Sequence, residues 1–142
     1  MSKIALPLCL AFAATFAASL SSASEIYRCS FTEPFVSIAY DSGSGTLTTT
    51  TPDSYQMQPD GIATAVPMIE KGVSFKVVSV GKFELVKSDG TTIYELELTN
   101  NGSDGMSDTT YPFDVRAKTA DMMPMDYLGG CSSTTLRPTE HP

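Results

Sequence analysis

The sequence predicts an all-β domain: a small antiparallel β-barrel of about eight strands, with a β-sandwich as the alternative. Three observations predict it. Apolar residues recur mainly with period two, and no segment offers a convincing amphipathic helix. The strand-like runs are short and divided by clusters of Gly, Pro, Asn and Asp. Two cysteines, Cys29 and Cys131, stand near opposite ends of the chain. A disulfide between them requires their α-carbons within about 7 Å. The first and last strands must then lie side by side or face each other across two sheets, and a sheet whose ends meet is most simply a barrel.

The elements follow in order. Ile26–Thr32 and Phe35–Tyr40 are the first two strands, divided by Glu33-Pro34. Asp41–Gly45 turns the chain into Thr46–Thr51, where four consecutive Thr read either as a low-complexity linker or as β-branched residues on a half-exposed strand. Pro52–Gly61 is a polar loop. Ile62–Ile69 is apolar but carries Pro67, which demotes it to an edge strand or an irregular piece. Glu70-Lys71-Gly72 turns the chain; Val73–Val80 and Lys82–Lys87 are strands with a bend or bulge at Gly81.

Ser88-Asp89-Gly90-Thr91 is the clearest hairpin signal, because Asp-Gly suits the positive φ angles of a type I′ turn. A two-residue turn there pairs Leu85 with Tyr94 and Phe83 with Leu96. It also sets Glu84 opposite Glu95, an unfavourable pair that is tolerable only if hydrated. Thr92–Thr99 alternates cleanly, Asn100–Asp108 is a polar loop, and Tyr111–Lys118 carries Phe113, Val115 and Ala117 at alternate positions. A Met-rich loop, Asp121–Asp126, leads to a last strand Tyr127–Cys131, whose Gly129-Gly130 permits close approach; Arg137–Pro142 is expected to fray.

Residues 1–23 have the grammar of a secretory signal peptide, leaving 24–142 as a single β domain. Lys3 is the positive flank, Ile4–Leu20 the apolar stretch, and Ser21-Ser22-Ala23 the small residues before a cleavage expected ahead of Ser24. The alternative is an anchor that stays, although the run is at the short edge of a spanning helix. Once the leader is removed, no span remains. Cys9 invites a lipoprotein reading, but bulky Leu8 precedes it and the apolar run continues past it. The expected location is periplasmic or secreted. In such an oxidising compartment Cys29 and Cys131 form the expected disulfide; two buried thiols or an intermolecular bridge are the alternatives.

Composition narrows the function classes. Sixteen acidic residues against nine basic give a net charge of −7, which argues against nucleic acid and favours a cationic partner. Catalysis is poorly supplied. The one His, His141, is next to last; there is no Trp and no G-x-S-x-G or H-E-x-x-H signature. No catalytic residue, metal ligand or cofactor is assigned. A carboxylate pair drawn from residues such as Glu33, Glu95 and Glu97 could still serve glycoside hydrolysis. Asn100–Gly105 resembles the opening of a calcium loop, but Tyr111 stands at the twelfth position, where such loops use Glu. Met106, Met122, Met123 and Met125 could offer thioethers to copper(I), or simply pack.

Two segments carry a resemblance. Cys29-Ser30-Phe31-Thr32-Glu33-Pro34-Phe35 resembles the C-x-x-T-E-P-F-W segment of a family of small, uncharacterised bacterial envelope proteins and lipoproteins. Asp104–Asp108 with Tyr111-Pro112-Phe113 resembles that family's D-G-M-S-D-x-x-Y-P-F stretch, and Gly130-Cys131 its terminal G-C. Val36 replaces the family's Trp, and Ser103 replaces a Cys that many members have. The resemblance implies an envelope β domain and no reaction. Glu33, Asp104 and Asp108 become the candidate ligand-binding residues, against the structural alternative that they order loops. The family is distantly similar to membrane-bound inhibitors of c-type lysozyme, whose Y-x-C is matched by Tyr27-Arg28-Cys29, although their S-G-x-x-Y signature is absent. The expected function is therefore a non-catalytic binding module of the envelope. Its partner is an unknown protein or envelope ligand. The alternatives are an inhibitor of a cationic lysozyme and a small glycan-active enzyme.

Overall fold

The computed structural model describes residues 23–33 and 35–140. Residues 1–22, on which the expected leader with Lys3 and Cys9 falls, lie outside the described residues, as do Pro34, His141 and Pro142. The regular structure of the described residues is nearly all strand: β1 (Ile26–Ser30), β2 (Ser37–Asp41), β3 (Thr46–Thr50), β4 (Tyr55–Met57), β5 (Ala63–Ala65), β6 (Met68–Lys71), β7 (Ser74–Ser79), β8 (Lys82–Val86), β9 (Thr92–Gly102), β10 (Thr109–Ala117), β11 (Leu128–Ser133) and β12 (Thr139–Glu140). One short 3-10 turn, Pro52–Ser54, precedes β4. No helix among the described residues is long and apolar enough to cross a membrane.

Ten strands form one antiparallel sheet in the order β6-β3-β2-β1-β11-β10-β9-β8-β7, with β12 beside β10; β4 and β5 make a separate hairpin. The pairing path is open, ending at β6 and β7. Cys29 sits directly opposite Cys131 on β1 and β11, and the two form a disulfide with α-carbons 4.0 Å apart. The bridge closes a sequence separation of 102 residues, worth about 4–5 kcal/mol in the chain-entropy account.

Period two places the core on one face. Ile38, Cys29, Cys131 and Phe113 lie in cross-strand register, as do Leu85, Tyr94 and Ala117, and all are buried. The rings then show how the sheet curls. Phe75, on edge strand β7, stacks on Tyr27 of central strand β1 at 4.7 Å and on Phe83 at 5.0 Å. A flat sheet could not bring its edge onto its middle. Tyr40 reaches across the same space and donates its hydroxyl to the Val73 carbonyl. Tyr27, Phe75, Phe83 and Phe113 thus pack together against the core.

Several expectations need adjusting. Pro67 divides the apolar run 62–69 into β5 and β6, and Glu70 and Lys71 belong to β6 rather than to a turn. The Thr run forms β3, with Thr49 buried. The expected final strand starts one residue later, at Leu128, and the tail returns to pair Glu140 with Thr109. The β8–β9 turn is not the two-residue type. Lys87 and Thr91 close a three-residue loop in which Gly90 takes φ +88°, the usual place for glycine in such a loop. An irregularity between Leu85 and Val86 then restores the register, so Phe83–Leu96, Glu84–Glu95 and Leu85–Tyr94 pair as expected.

Candidate functional site

The segments that carry the family resemblance meet at one place. The Thr32 hydroxyl donates to the Asp104 carbonyl, tying the T-E-P-F turn to the D-G-M-S-D loop. Asp104 is the hub of that loop. Its Oδ1 accepts the amides of Met106 (3.0 Å) and Ser107 (2.9 Å), and its Oδ2 accepts the hydroxyls of Ser107 (2.8 Å) and Tyr111 (3.0 Å). Partial burial pushes the Asp104 carboxyl upward, but those hydrogen bonds outweigh it and hold the group below the usual aspartate range. Burial, then the Asp104 carboxylate, raises the Tyr111 hydroxyl.

Gly129 and Gly130 complete this end. A Cβ at Gly129 would lie 2.4 Å from the Ser30 carbonyl oxygen, and one at Gly130 would lie 2.5 Å from the Tyr111 ring. Side chains could not be accommodated there without moving Ser30 or Tyr111, next to the disulfide.

The three candidate binding residues therefore differ. Asp104 is engaged in ordering its loop. Glu33 is exposed, and its backbone amide donates to the Tyr127 hydroxyl at 3.3 Å. Asp108 is exposed on the loop's far shoulder. Among the described residues no three His, Cys, Asp or Glu side chains are grouped to hold a metal ion. Phe35, at φ +61° and 56% exposed, is the unusual side chain here. The methionines are dispersed: Met123 is buried in the core, Met122 is half-buried, and Met106 and Met125 are exposed on separate loops.

A hollow lies elsewhere, across the outer face of β8, β9 and β10. Phe83, Leu85, Tyr94, Leu96, Phe113 and Val115 turn to the core, so the alternating Lys82, Glu84, Glu95, Glu97, Asp114 and Arg116 turn outward. They line a trough of about 300 Å³ with Val78 and Leu128 at its margins. Two carboxylate pairs face each other across strands: Glu84 opposite Glu95, and Glu97 opposite Asp114. Lysines temper the first three of these acids: Lys76 to Glu84 (3.6 Å), Lys118 to Glu95 (3.5 Å) and Lys82 to Glu97 (3.4 Å). Asp114 has no ion pair among the described residues.

A smaller hollow of about 50 Å³ lies beside Tyr94, Met122 and Met123, where Lys87 pairs with Glu70 at 3.4 Å and with Asp121 at 4.0 Å. Burial, then the Asp121 and Glu70 charges, pushes the Tyr94 hydroxyl up to about 12.

Sequence reasoning passed over the trough, although one signal for it was present. A like-charge pair on a predicted register, Glu84 opposite Glu95, requires a wet, acidic outer face. The second pair was hidden because the β9–β10 register spans a long loop that the sequence does not fix. No family model, curated protein or solved structure matches the chain.

Proposed function

We propose that the protein is an exported, non-catalytic binding domain of the bacterial envelope that takes a cationic partner in the trough over β8–β10. One observation carries this reading: two directly opposed carboxylate pairs line a hollow that is acidic on balance. Opposed like charges cost stability, and a cationic ligand would recover that cost while being drawn in by the chain's net charge. The address rests on the leader-like segment, the disulfide and the resemblance to small envelope proteins.

The same proposal includes the barrel. Eight antiparallel steps separate β6 from β7 in the sheet order, so the two run in the same direction. Only Gly72 and Val73 lie between them, and the Val73 amide donates to the Gly45 carbonyl beside β3. Taken as one kinked strand that pairs with β3 by its first half and with β8 by its second, β6–β7 supports an eight-stranded barrel filled by aromatic rings. A ligand would then bind outside it, not within.

A c-type lysozyme is a suitable cationic probe. Calorimetry should detect binding that weakens steeply as salt rises, since exposed charges are screened within about 10 Å at 0.1 M. The Glu95→Gln, Glu97→Gln double variant should lose at least tenfold in affinity. Lysozyme inhibition in a turbidity assay would specify the inhibitor function. Binding of other cationic proteins without inhibition would leave a general cation-binding module. No binding by any cationic protein would sink the proposal, and turnover of a peptidoglycan fragment that is lost in Glu33→Gln or Glu95→Gln would replace it with the glycan-active enzyme.

A further inference from the structure

The residues that follow the expected end of the leader are tied to the fold by side-chain hydrogen bonds. Ala23 is exposed. The next three residues, Ser24, Glu25 and Ile26, are each tied down. The Ser24 hydroxyl donates to Asp41 Oδ1. The Glu25 amide donates to Ser42 Oγ at 2.9 Å, and the Ser42 amide returns a bond to the Glu25 carbonyl at 3.0 Å. The Glu25 carboxylate accepts the Thr135 amide and hydroxyl, both at 2.8 Å, and the Ile26 amide donates to Thr134 Oγ1 at 3.3 Å. Small residues thus precede Ser24 in the pattern that leader peptidases read, and among the described residues Ser24 is the first with a hydrogen bond to the rest of the fold.

We propose that hydrolysis of the Ala23–Ser24 bond completes the fold by creating an ammonium–carboxylate contact between the new Ser24 amine and Asp41. Water adds across the bond: its oxygen joins the Ala23 carbonyl carbon, which leaves as a carboxylate, and the Ser24 nitrogen leaves as an amine. That amine takes a proton near neutral pH, its ordinary pKa being about 8. The reactant is water and the catalyst is the leader peptidase of the export route. The serine's own connectivity supplies proximity, because its backbone nitrogen is three bonds from its Oγ and that Oγ is hydrogen-bonded to Asp41. Asp41 is suited to receive a cation. The Ser24 hydroxyl, then the Gly43 amide, already holds its carboxyl below the usual aspartate range. The proposal goes beyond the binding function and depends on the exported form, not on the trough.

The test compares three purified forms: the chain starting at Ser24, the same chain N-acetylated, and a chain extended to Ala23. Intact mass of the exported protein should give Ser24 as its first residue. At pH 6 and low salt the free-amine form should melt about 2–4 °C above the other two. The gap should close above pH 9 and in about 0.5 M salt. Asp41→Asn keeps an acceptor for Ser24 and Gly43 but should abolish the gap, and Ser24→Ala, which loses the hydroxyl that holds the amine beside Asp41, should narrow it. Equal melting of all three forms, a gap that survives in Asp41→Asn, or a mature chain starting elsewhere would overturn the proposal. None of these outcomes bears on lysozyme binding.

Discussion

The trough over β8–β10 and the loop cluster beside the disulfide both contain carboxylates, and they use them in opposite ways. At the loop cluster Asp104 accepts four hydrogen bonds and pins two loops together. In the trough, Glu84 faces Glu95 and Glu97 faces Asp114, with Arg116 and three lysines, of which Lys118 is half-buried, to offset them. The first arrangement favours the folded state; the second opposes it. A recognisable motif can therefore mark a structural joint, while an unremarkable alternating strand carries the face that has unspent charge to offer a partner.

The comparison is broken most severely by removing what holds the loop cluster in place. Replacing Cys29 and Cys131 together by Ala should cost about 4–5 kcal/mol in denaturant unfolding, less any strain relieved. That is a large part of a typical domain's stability, so the domain should unfold at moderate temperature and the trough should be lost with it. A variant that keeps its melting temperature would show that β1 and β11 are held by their pairing alone.

Next in size is Asp104→Ala, expected to cost about 1–3 kcal/mol, because four donors lose a charged acceptor. Tyr111→Phe should cost about 1 kcal/mol by removing one of those bonds. Neither change should alter affinity for a cationic protein. If Asp104→Ala weakens binding while the fold remains intact by circular dichroism, the loop cluster is the site and the division between the two regions fails.

The same contrast shows what a sequence can and cannot reveal. The β8–β9 pairing was legible because alternation in Phe83–Leu85 and Tyr94–Leu96 is strong enough to select a register. The turn chemistry was misjudged, yet the three-residue loop and the irregularity at Leu85 and Val86 compensate one another. The disulfide was legible from compartment and cysteine count. Asp104 was legible as a motif residue, with loop ordering as one of its two expected roles, but its partners Tyr111 and Thr32 were not, because they reach it only through tertiary folding. The Glu97–Asp114 pair was illegible for a related reason: a polar loop between β9 and β10 leaves their register to the packing of Leu96 on Val115. Glu-Lys-Gly reads as a turn in the sequence, whereas Glu70 and Lys71 belong to β6 and only Gly72 and Val73 separate it from β7.

Acid gives a smaller and graded effect, and it separates the terminal clamp from both regions. The Ser133 side chain, followed by hydrogen bonds from Thr135 and Thr134, lowers the Glu25 carboxyl from 4.5 to about 2 against a weaker opposing effect of burial. A carboxyl lowered in the folded state contributes stability above its unfolded pKa and loses it as pH falls through the folded one. Glu25 should therefore contribute fully above about pH 4.5, with the contribution fading towards pH 2. Asp41 and Asp104 are lowered too and act in the same direction. Melting curves from pH 5 to pH 2 should show a shallower acid limb in Glu25→Gln than in the parent. Equal limbs would remove Glu25 from the account.

The smallest effect carries the sign that distinguishes the trough. Glu95→Gln removes one member of the Glu84–Glu95 pair while keeping its size and its capacity to accept a hydrogen bond. Relief of the cross-strand repulsion should stabilise the fold by about 0.2–1 kcal/mol. The loss of the exposed Lys118–Glu95 ion pair at 3.5 Å subtracts from this, since such pairs contribute about 0–1 kcal/mol. Lys118 keeps Asp126 at 3.0 Å as a partner, so the subtraction should be minor and the net effect slightly stabilising. Raising salt should shrink the gain, because repulsion between exposed charges is screened. A site that stabilises the fold when mutated and loses its partner at the same time is one where folding and binding make opposing demands. If Glu95→Gln instead destabilises the protein and leaves binding intact, the opposed acids are part of the framework after all.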